Sequence, residues 1–574
     1  MFRKSDIHVL RARGWLEYIP ITNWAADYRR AWLRDDLTAG LTLAAYAIPI
    51  SLAYAALAGL PPQVGVYGYM LGGLGYAIMG SSRQLAIGPT SAISLMIAAT
   101  VGPMAQGDAG RYAQVASLTA LTVAGLCAVA WALRLSGLVK LISDSILVGF
   151  KAGAGLTIAV TQIPSLIGVP GGGQNFFQRV YLLCTQLNTI HVLTLLVGAS
   201  AIFLLIVGDR IWPARPIALG VVSLAILVAA LLGLAAHGVR TTGEIPPGLP
   251  ALRAPALRLR DVDGIMPLAA GCMLLAYIES VSAGRSFAAK HGRSLDARQE
   301  LLGIGAANLA AAFGQSYPVA GGLSQSAVND KAGARTPLAL VFASAALALC
   351  LLFLTGVLKD LPKAVLAAIV LTAVAGLVDF RALLRMWRVS RLDFYAANIA
   401  LCGVLAFGIL EGILIATVAS ILLLLTLVSR PRVAFLGRVP GTGRFSDILR
   451  HTENELIPGV LAFRPESSLI YVNAGFVLDA VLRRLNLESN RDIHLVICDL
   501  SASPFVDLAG SRMLHELHRV VEGRRMTLRI VGAHGQVRDL LRADGMGEKV
   551  GELSRAVTLE SLVGAKIEGP EGSG

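Results

Sequence analysis

Two short stretches of this 574-residue chain combine glycine, proline and small hydroxyl residues in a way that can hold an anion. One is Ala86-Ile87-Gly88-Pro89-Thr90-Ser91-Ala92; the other is Tyr317-Pro318-Val319-Ala320-Gly321-Gly322-Leu323-Ser324-Gln325-Ser326-Ala327-Val328-Asn329. Each reads Gly/Pro, then small hydroxyl residues, then a short apolar helix. A helix beginning there leaves its first backbone N–H groups without acceptors and carries a partial positive charge at that end. Two such ends facing each other bind an anion. For one stretch alone, close packing or a kink explains the glycine and proline equally well. The matched pair favours a binding site at the middle of a membrane. A third candidate is Glu279, within Leu274-Leu275-Ala276-Tyr277-Ile278-Glu279-Ser280-Val281-Ser282. An ionisable residue inside an apolar run is expected to serve function. A carboxyl group there is less costly to bury protonated than charged, which suits a proton carrier. The alternative is a structural Glu279, bonded to Ser282 or paired with Arg285.

These residues need a frame that places them in a bilayer, and the composition supplies one. Hydrophobic residues make up 55% of the chain and charged residues only 15%, where a soluble domain carries about a quarter charged. The 60 glycines fit close helix packing in lipid. Apolar runs cover approximately 37–60, 64–80, 88–102, 113–135, 142–167, 188–208, 214–236, 264–288, 298–314, 323–330, 337–357, 362–378, 392–410 and 412–428. The third and the tenth are too short to cross a bilayer alone. Each is the third segment of a seven-segment half, and each begins within one of the two Gly/Pro-hydroxyl stretches. The expected fold is therefore an α-helical membrane domain of about fourteen segments in two halves.

The net charge of +13 reads as membrane topology rather than nucleic-acid binding. Arg3, Lys4, Arg11, Arg13, Arg29, Arg30 and Arg34 precede the first run. With the N-terminus cytoplasmic, the inner loops receive Arg83, Lys140, Arg210, Arg215, Lys290, Arg293, Arg298, Lys331, Arg335, Arg381, Arg385, Arg388 and Arg391. The outer loop near 237–262 breaks the pattern with Arg240, Arg253, Arg258 and Arg260. The six cysteines lack metal or redox spacing and read as small buried hydrophobes. No G-x-x-x-x-G-K-[ST] loop is present, so ATP drive is not indicated. No cofactor or metal is expected, and an enzyme is not.

Past about residue 435 the pattern changes to short apolar strands alternating with amphipathic helices, which predicts a small α/β domain. Val460–Phe463, Leu469–Val472, His494–Leu500 and Thr527–Val531 read as strands; Ala474–Leu485, Asp507–Val521 and Gln536–Ala543 read as helices. The expected divisions are a cytosolic segment 1–34, a transport domain 35–430, a linker 431–455, the α/β domain 456–564 and a disordered tail 565–574.

Asp36-Leu37-Thr38-Ala39-Gly40, Ile48-Pro49, Ala53-Tyr54-Ala55, Leu57-Ala58-Gly59-Leu60-Pro61-Pro62 and Gly88-Pro89 resemble the sulfate permease (SulP) family. So do Glu279-Ser280-Val281-Ser282 through Ala288, and Ser326-Ala327-Val328-Asn329 through Thr336. The resemblance runs from about 34 to 560. It implies seven-plus-seven inverted repeats split into core and gate, with a C-terminal STAS domain. It also implies transport of sulfate, bicarbonate, chloride or dicarboxylates, and commonly a homodimer in a cell membrane with both termini cytoplasmic. By the same resemblance Tyr54 is the first-span tyrosine of the substrate site, Thr90, Ser91 and Ala92 begin the third helix, and Ser324 begins the tenth with Ser326 beside it. Glu279 is the acidic residue of proton coupling in symporters.

Two positions depart from the family pattern. Ile50 stands where glutamine usually follows the first-span proline, and Gln325 stands where arginine often follows the tenth-span serine. A divalent anion thereby loses a polar contact and a full positive charge, unless the Gln325 amide replaces the one missing at Ile50. In the STAS domain, Asp507-Leu508-Ala509-Gly510 lacks the phosphorylatable serine of related signalling domains. A scaffold, trafficking or dimer role, or binding of a cytosolic protein, is expected instead. Three functional classes follow: a secondary transporter taking an anion with H+ (or Na+), an uncoupled exchanger or channel-like path, and a membrane sensor read by the STAS domain.

Overall fold

The computed structural model describes residues 20–137, 144–173, 175–212, 216–256, 259–487 and 493–564. The expected tail 565–574 lies outside them, as do residues 1–19 and Lys140, Arg215 and Arg258 of the charge pattern. The chain forms two compact units, one ending at Ser420 and one beginning at Ile421.

In the first unit each apolar run becomes a helix: α1 Leu33–Leu57, α2 Pro62–Met79, α3 Ser91–Ala105, α4 Ala109–Ala132, α5 Asp144–Ile167, α6 Val192–Ile211, α7 Ile217–Leu232, α8 Leu259–Lys290, α9 Ala297–Phe313, α10 Leu323–Lys331, α11 Leu338–Phe353, α12 Lys363–Ala375, α13 Arg391–Phe407 and α14 Ile409–Ser429, the last crossing the unit boundary. Among the described residues six helices are long and apolar enough to cross a membrane. Large apolar side chains such as Leu196, Phe203, Leu231 and Phe353 are exposed on the outside of this unit, as a lipid-facing surface requires. The half-length elements are α3, with 15 residues, and α10, with 9.

The packing repeats between halves. Helix α1 packs on α11 as α8 packs on α4, and α5 packs on α13 as α12 packs on α6. Taking α1–α7 and α8–α14 as equivalents, these are the same contacts twice. Strands β1 (Ile87–Gly88) and β2 (Ala320–Gly321) pair antiparallel, Ile87 with Gly321 and Gly88 with Ala320. Equivalent segments meeting antiparallel are what a two-fold-related inverted repeat produces. Helices α1–α4 and α8–α11 form the core; α5–α7 and α12–α14 form the gate. The closest gate approach depends on Gly149, where a Cβ would fall on the Ala397 backbone of α13.

Two connecting helices, Phe176–Thr185 and Phe380–Val389, fall outside the expected set. The second exposes Phe380, Leu384, Trp387 and Val389 among Arg381, Arg385 and Arg388. Its apolar residues recur at helical spacing rather than in a run, so a search for unbroken apolar runs passes over it. Burial of the cysteines is also uneven: Cys127, Cys272, Cys350 and Cys498 are buried, but Cys184 and Cys402 are exposed.

The second unit holds a five-stranded sheet in the order β4-β3-β5-β6-β7. Its strands are β3 Val433–Arg438, β4 Phe445–Asp447, β5 Val460–Pro465, β6 Leu495–Asp499 and β7 Thr527–Val531. Strand β3 is antiparallel to β4 and β5, while β5, β6 and β7 run parallel. Helices α15 Ala474–Leu485, α16 Leu508–Gly523 and α17 Gly535–Ala543 help bury one face around Phe463, Val477, Cys498 and Leu514. Two details differ from expectation. The stretch 431–455, expected as a linker, carries β3 and β4. The strand expected at Leu469–Val472 is absent: Leu469 makes a single bridge to Val506. The Asn473 side chain accepts the Ile470 N–H at 3.0 Å, folding those residues into the turn that starts α15.

Candidate anion site

The β1–β2 pair brings the starts of α3 and α10 together, and side chains from both halves hold it. Ser326 Oγ accepts the Ala86 N–H at 2.9 Å and donates to the Gly322 carbonyl at 2.7 Å. The Gln325 amide donates to the Ala86 and Ala320 carbonyls at 3.1 and 3.2 Å. Asn329 donates to the Gln84 carbonyl at 3.0 Å. From α8, Ser280 Oγ accepts the Gly321 N–H at 2.8 Å. From α9, Asn308 both donates to the Val319 carbonyl and accepts its N–H, each at 3.0 Å. Glycine is required at 321, because a Cβ there would come within 2.9 Å of both Leu85 and the Ser280 hydroxyl.

Against this bracing, the two helix starts are bare. Some helices are capped by polar side chains: Asp108 takes two N–H groups of α4, Asp296 two of α9, and Ser390 one of α13; others, such as α1, α2 and α7, begin at Trp32, Pro61 and Pro216 without one. Neither Thr90, at the start of α3, nor Gly322, at the start of α10, makes a side-chain cap. The first N–H groups of both helices therefore lack acceptors. Thr90 Oγ1 is buried with no hydrogen-bond partner, although threonine is a good capping residue. Buried polar groups are seldom left so; donors and a hydroxyl without partners, gathered at two helix N-termini, fit an anion.

The remaining candidates converge on the same place. The polar neighbours of Tyr54 on α1 are Ser91 and Glu279; those of Tyr46, two turns earlier, include Ser324, Tyr54 and Asp209. Ala92 is buried beside Ser91. Two cavities approach from opposite ends of α1. One, about 490 Å³, is lined by Thr42, Tyr46, Ile50, Asp209, Ser324 and Lys331, among others. The second, about 540 Å³, is lined by residues including Ala53, Ala56, Leu57, Arg179 and Lys363. Ile50 and Ala53 mark the barrier between them, roughly 4.5 Å apart along the helix. Ile50 is thus an apolar wall residue of the first cavity. Both Gln325 amide contacts go to backbone carbonyls, so that amide does not replace the one missing at Ile50. Among the described residues Glu279 makes no hydrogen bond to Ser282 and no ion pair with Arg285.

Several working residues were not singled out from sequence. Asp36 is fully buried and accepts the Arg335 N–H at 2.7 Å, the Thr336 N–H at 3.0 Å and the Thr336 hydroxyl at 2.7 Å. It thereby joins two motifs 300 residues apart. Glu300, also fully buried, accepts from Tyr76 at 2.8 Å and from the Ser81 hydroxyl at 2.5 Å. Lys151 on α5 is a charged neighbour of Glu279. The signal for Lys151 was available: a lone charge inside an apolar run.

Comparison with known proteins agrees with this architecture. The sulfate permease family model matches residues 33–400, and the STAS domain model matches 451–559. A probable sulfate transporter of Mycobacterium tuberculosis (strain CDC 1551 / Oshkosh) is 33% identical over 539 residues, covering 94% of this chain and 96% of that protein. Probable sulfate transporter 3.4 of Arabidopsis thaliana is 30% identical over 568 residues, covering 94% of this chain and 86% of its own. Among solved structures, murine Solute Carrier 26 family member A9 in the inward-facing state superposes with a TM-score of 0.87 at 21% identity, over 99% of this chain and 97% of that one. The transmembrane domain of the cyanobacterial bicarbonate transporter BicA gives 0.60 at 20% identity, over 69% and 98%. With a family model across most of the helical unit and a 33% identical relative spanning nearly the whole chain, this protein belongs to the sulfate permease family.

Proposed function

We propose that the chain is a secondary transporter of inorganic anions, sulfate foremost, that carries a proton with the anion. The observation behind this reading is the pair of uncapped helix starts at Thr90 and Gly322, brought together by the β1–β2 pair, with the buried Thr90 hydroxyl unpartnered. Each helix end supplies roughly half a positive charge, so the pair offers about one. A doubly charged anion leaves one negative charge over, and an ionised Glu279 would add a second. Protonating Glu279 as the anion enters removes that penalty, which ties proton and anion together. The full-length relatives named as sulfate transporters support the substrate.

The two cavities, separated near Ile50 and Ala53, suit a core that slides against the gate in an elevator-like cycle, exposing the site to one side and then the other. The protein would lie in a cell membrane, the inner membrane of a bacterium, with both termini cytoplasmic. It would act as a homodimer, with the STAS unit available to a cytosolic partner. Ser91, Ser324 and the backbone around Ala92 would contact the anion with Thr90, and Tyr54 would cover it. Ser326 and Gln325 would hold the loops, and no chemical catalysis is involved. A second reading draws on Ile50 and Gln325. An apolar wall and an amide committed to backbone carbonyls favour a singly charged anion such as bicarbonate, or a carboxylate, moved without a proton.

Uptake of labelled sulfate, bicarbonate and succinate into proteoliposomes, with and without an inward proton gradient, separates the readings. Sulfate uptake accelerated by the gradient is expected, and Glu279→Gln should abolish that acceleration while leaving sulfate–sulfate exchange measurable. Gradient-independent uptake with an indifferent Glu279→Gln variant would leave uncoupled exchange.

A further inference from the structure

The helix Phe380–Val389 joins α12 to α13 and packs on α5 and α13. It lies by the starts of both, where the Ser145 hydroxyl of α5 donates to Asp393 of α13 at 2.8 Å. Ala382, Leu383 and Met386 form its half-buried side. The exposed surface divides in two. Phe380, Leu384 and Trp387 fall within a sector of roughly 60° on the helix, and they are 69%, 58% and 47% exposed. Arg381, Arg385 and Arg388, also exposed, fill a second sector of roughly 60° centred about 100° away.

The arginines have no acid to answer them. Asp379 accepts the Ala382 N–H at 2.9 Å, and Asp393 is engaged with Ser145. Among the described residues Arg381, Arg385, Arg388 and Arg391 make no ion pair within 4.0 Å. The Arg391 guanidinium carbon lies 5.7 Å from the centre of the Trp387 ring, and that ring meets Phe394 edge-on at 4.9 Å. A guanidinium over an aromatic face keeps its N–H groups for an anion.

What adjoins each sector identifies the occupant. The apolar sector leads into Leu392, Tyr395 and Ile399, an exposed stripe of α13 of the kind that faces lipid. Apolar and cationic sectors side by side match the boundary between acyl chains and headgroups, where tryptophan is also at home. Arginine forks hold phosphate oxygens bidentately. The charge pattern puts this connection on the cytoplasmic side, where anionic lipids attract basic segments. An acidic soluble partner would match the arginines but leave Phe380 and Leu384 in water.

We infer that the helix Phe380–Val389 is a binding site for anionic phospholipid. Arg381, Arg385 and Arg388 take the headgroup phosphate, Arg391 assists from the Trp387 ring, and Phe380 and Leu384 enter the acyl chains. Because the helix links α12 to α13, an occupied site ties the gate to one leaflet.

The test is native mass spectrometry of the full-length protein in detergent, titrated with phosphatidylglycerol and separately with phosphatidylcholine. Phosphatidylglycerol should bind the wild type about tenfold more tightly than phosphatidylcholine. Arg381→Gln, Arg385→Gln and Arg388→Gln together should weaken phosphatidylglycerol binding by about tenfold or more and leave phosphatidylcholine unchanged. If that variant does not fold, Arg385→Gln alone should weaken it about fivefold. Equal binding of the two lipids by the wild type overturns the site, as does unchanged phosphatidylglycerol binding in the variants. Full displacement of phosphatidylglycerol by an equal concentration of inorganic phosphate would make this a free-anion site and also overturns it. A dimeric wild type beside a monomeric variant, read from the same spectra, would give the face to a second copy of the chain and refute the lipid assignment.

Discussion

Thr90 and Ser326 have the same functional group and opposite situations. Ser326 is satisfied twice, by the Ala86 N–H and the Gly322 carbonyl, whereas Thr90 is buried and unpaired. Removing a hydroxyl that bridges two backbone groups leaves a buried donor orphaned, at a cost of about 1–3 kcal/mol. Removing one that has no partner costs the protein almost nothing. Ser326→Ala should accordingly lower the thermal unfolding midpoint, while Thr90→Val should leave it unchanged and raise the KM for the anion about tenfold, the worth of one hydrogen bond to a charge. Parallel melting and uptake curves for the two variants check this; equal melting losses would mean Thr90 has a structural partner. This division was only half visible in the sequence. Spacing placed Thr90, Ser91 and Ser324 at helix starts, but which hydroxyl is spent on the backbone depends on the β1–β2 pairing between segments over 230 residues apart. Gln325 has the same explanation: at a family arginine position it reads as substrate-facing, yet Ala86 and Ala320 lie nearer its amide.

Among elements, the apolar runs were the most readable feature, since a lipid environment demands long uninterrupted apolar helices. The short third and tenth runs were visible for the same reason. Features without such a run were not. Strand β3, Val433–Arg438, follows directly on a membrane helix and ends in Arg438, so its membership of the sheet depends on pairing with β5. The opposite failure, Leu469–Val472, looked like a strand because Leu469, Ile470 and Val472 are apolar, but the Asn473 side chain captures the Ile470 N–H. Between elements, the tie from Asp36 to the start of α11 is a polar link across 300 residues. Thr336→Val deletes one of its three hydrogen bonds and leaves a buried carboxylate short of a donor. We expect a loss of about 2 kcal/mol, visible as an earlier unfolding transition, with the sulfate KM changed less than twofold because Asp36 lies about 27 Å before Tyr54 along α1. A large KM change at unchanged stability would place Asp36 in the transport path instead.

For the whole molecule, the repeated packing of α1 on α11 and α8 on α4 has a functional consequence. Two halves related by inversion bring two helix N-termini to one midpoint, something neither half achieves alone. The site is thus a property of the duplication, and the cavities toward the two ends of α1 are the routes it would serve. The central claim is that the anion lies at that midpoint, against the N–H groups of Ser91, Ala92, Leu323 and Ser324. It is tested most directly by determining the structure with selenate, a heavier analogue of sulfate, and locating selenium by anomalous scattering. The account predicts one peak within hydrogen-bonding distance of both helix starts and of Thr90 Oγ1. A peak confined to the vestibule near Asp209 and Lys331, or none at all in a protein that transports selenate, would contradict it.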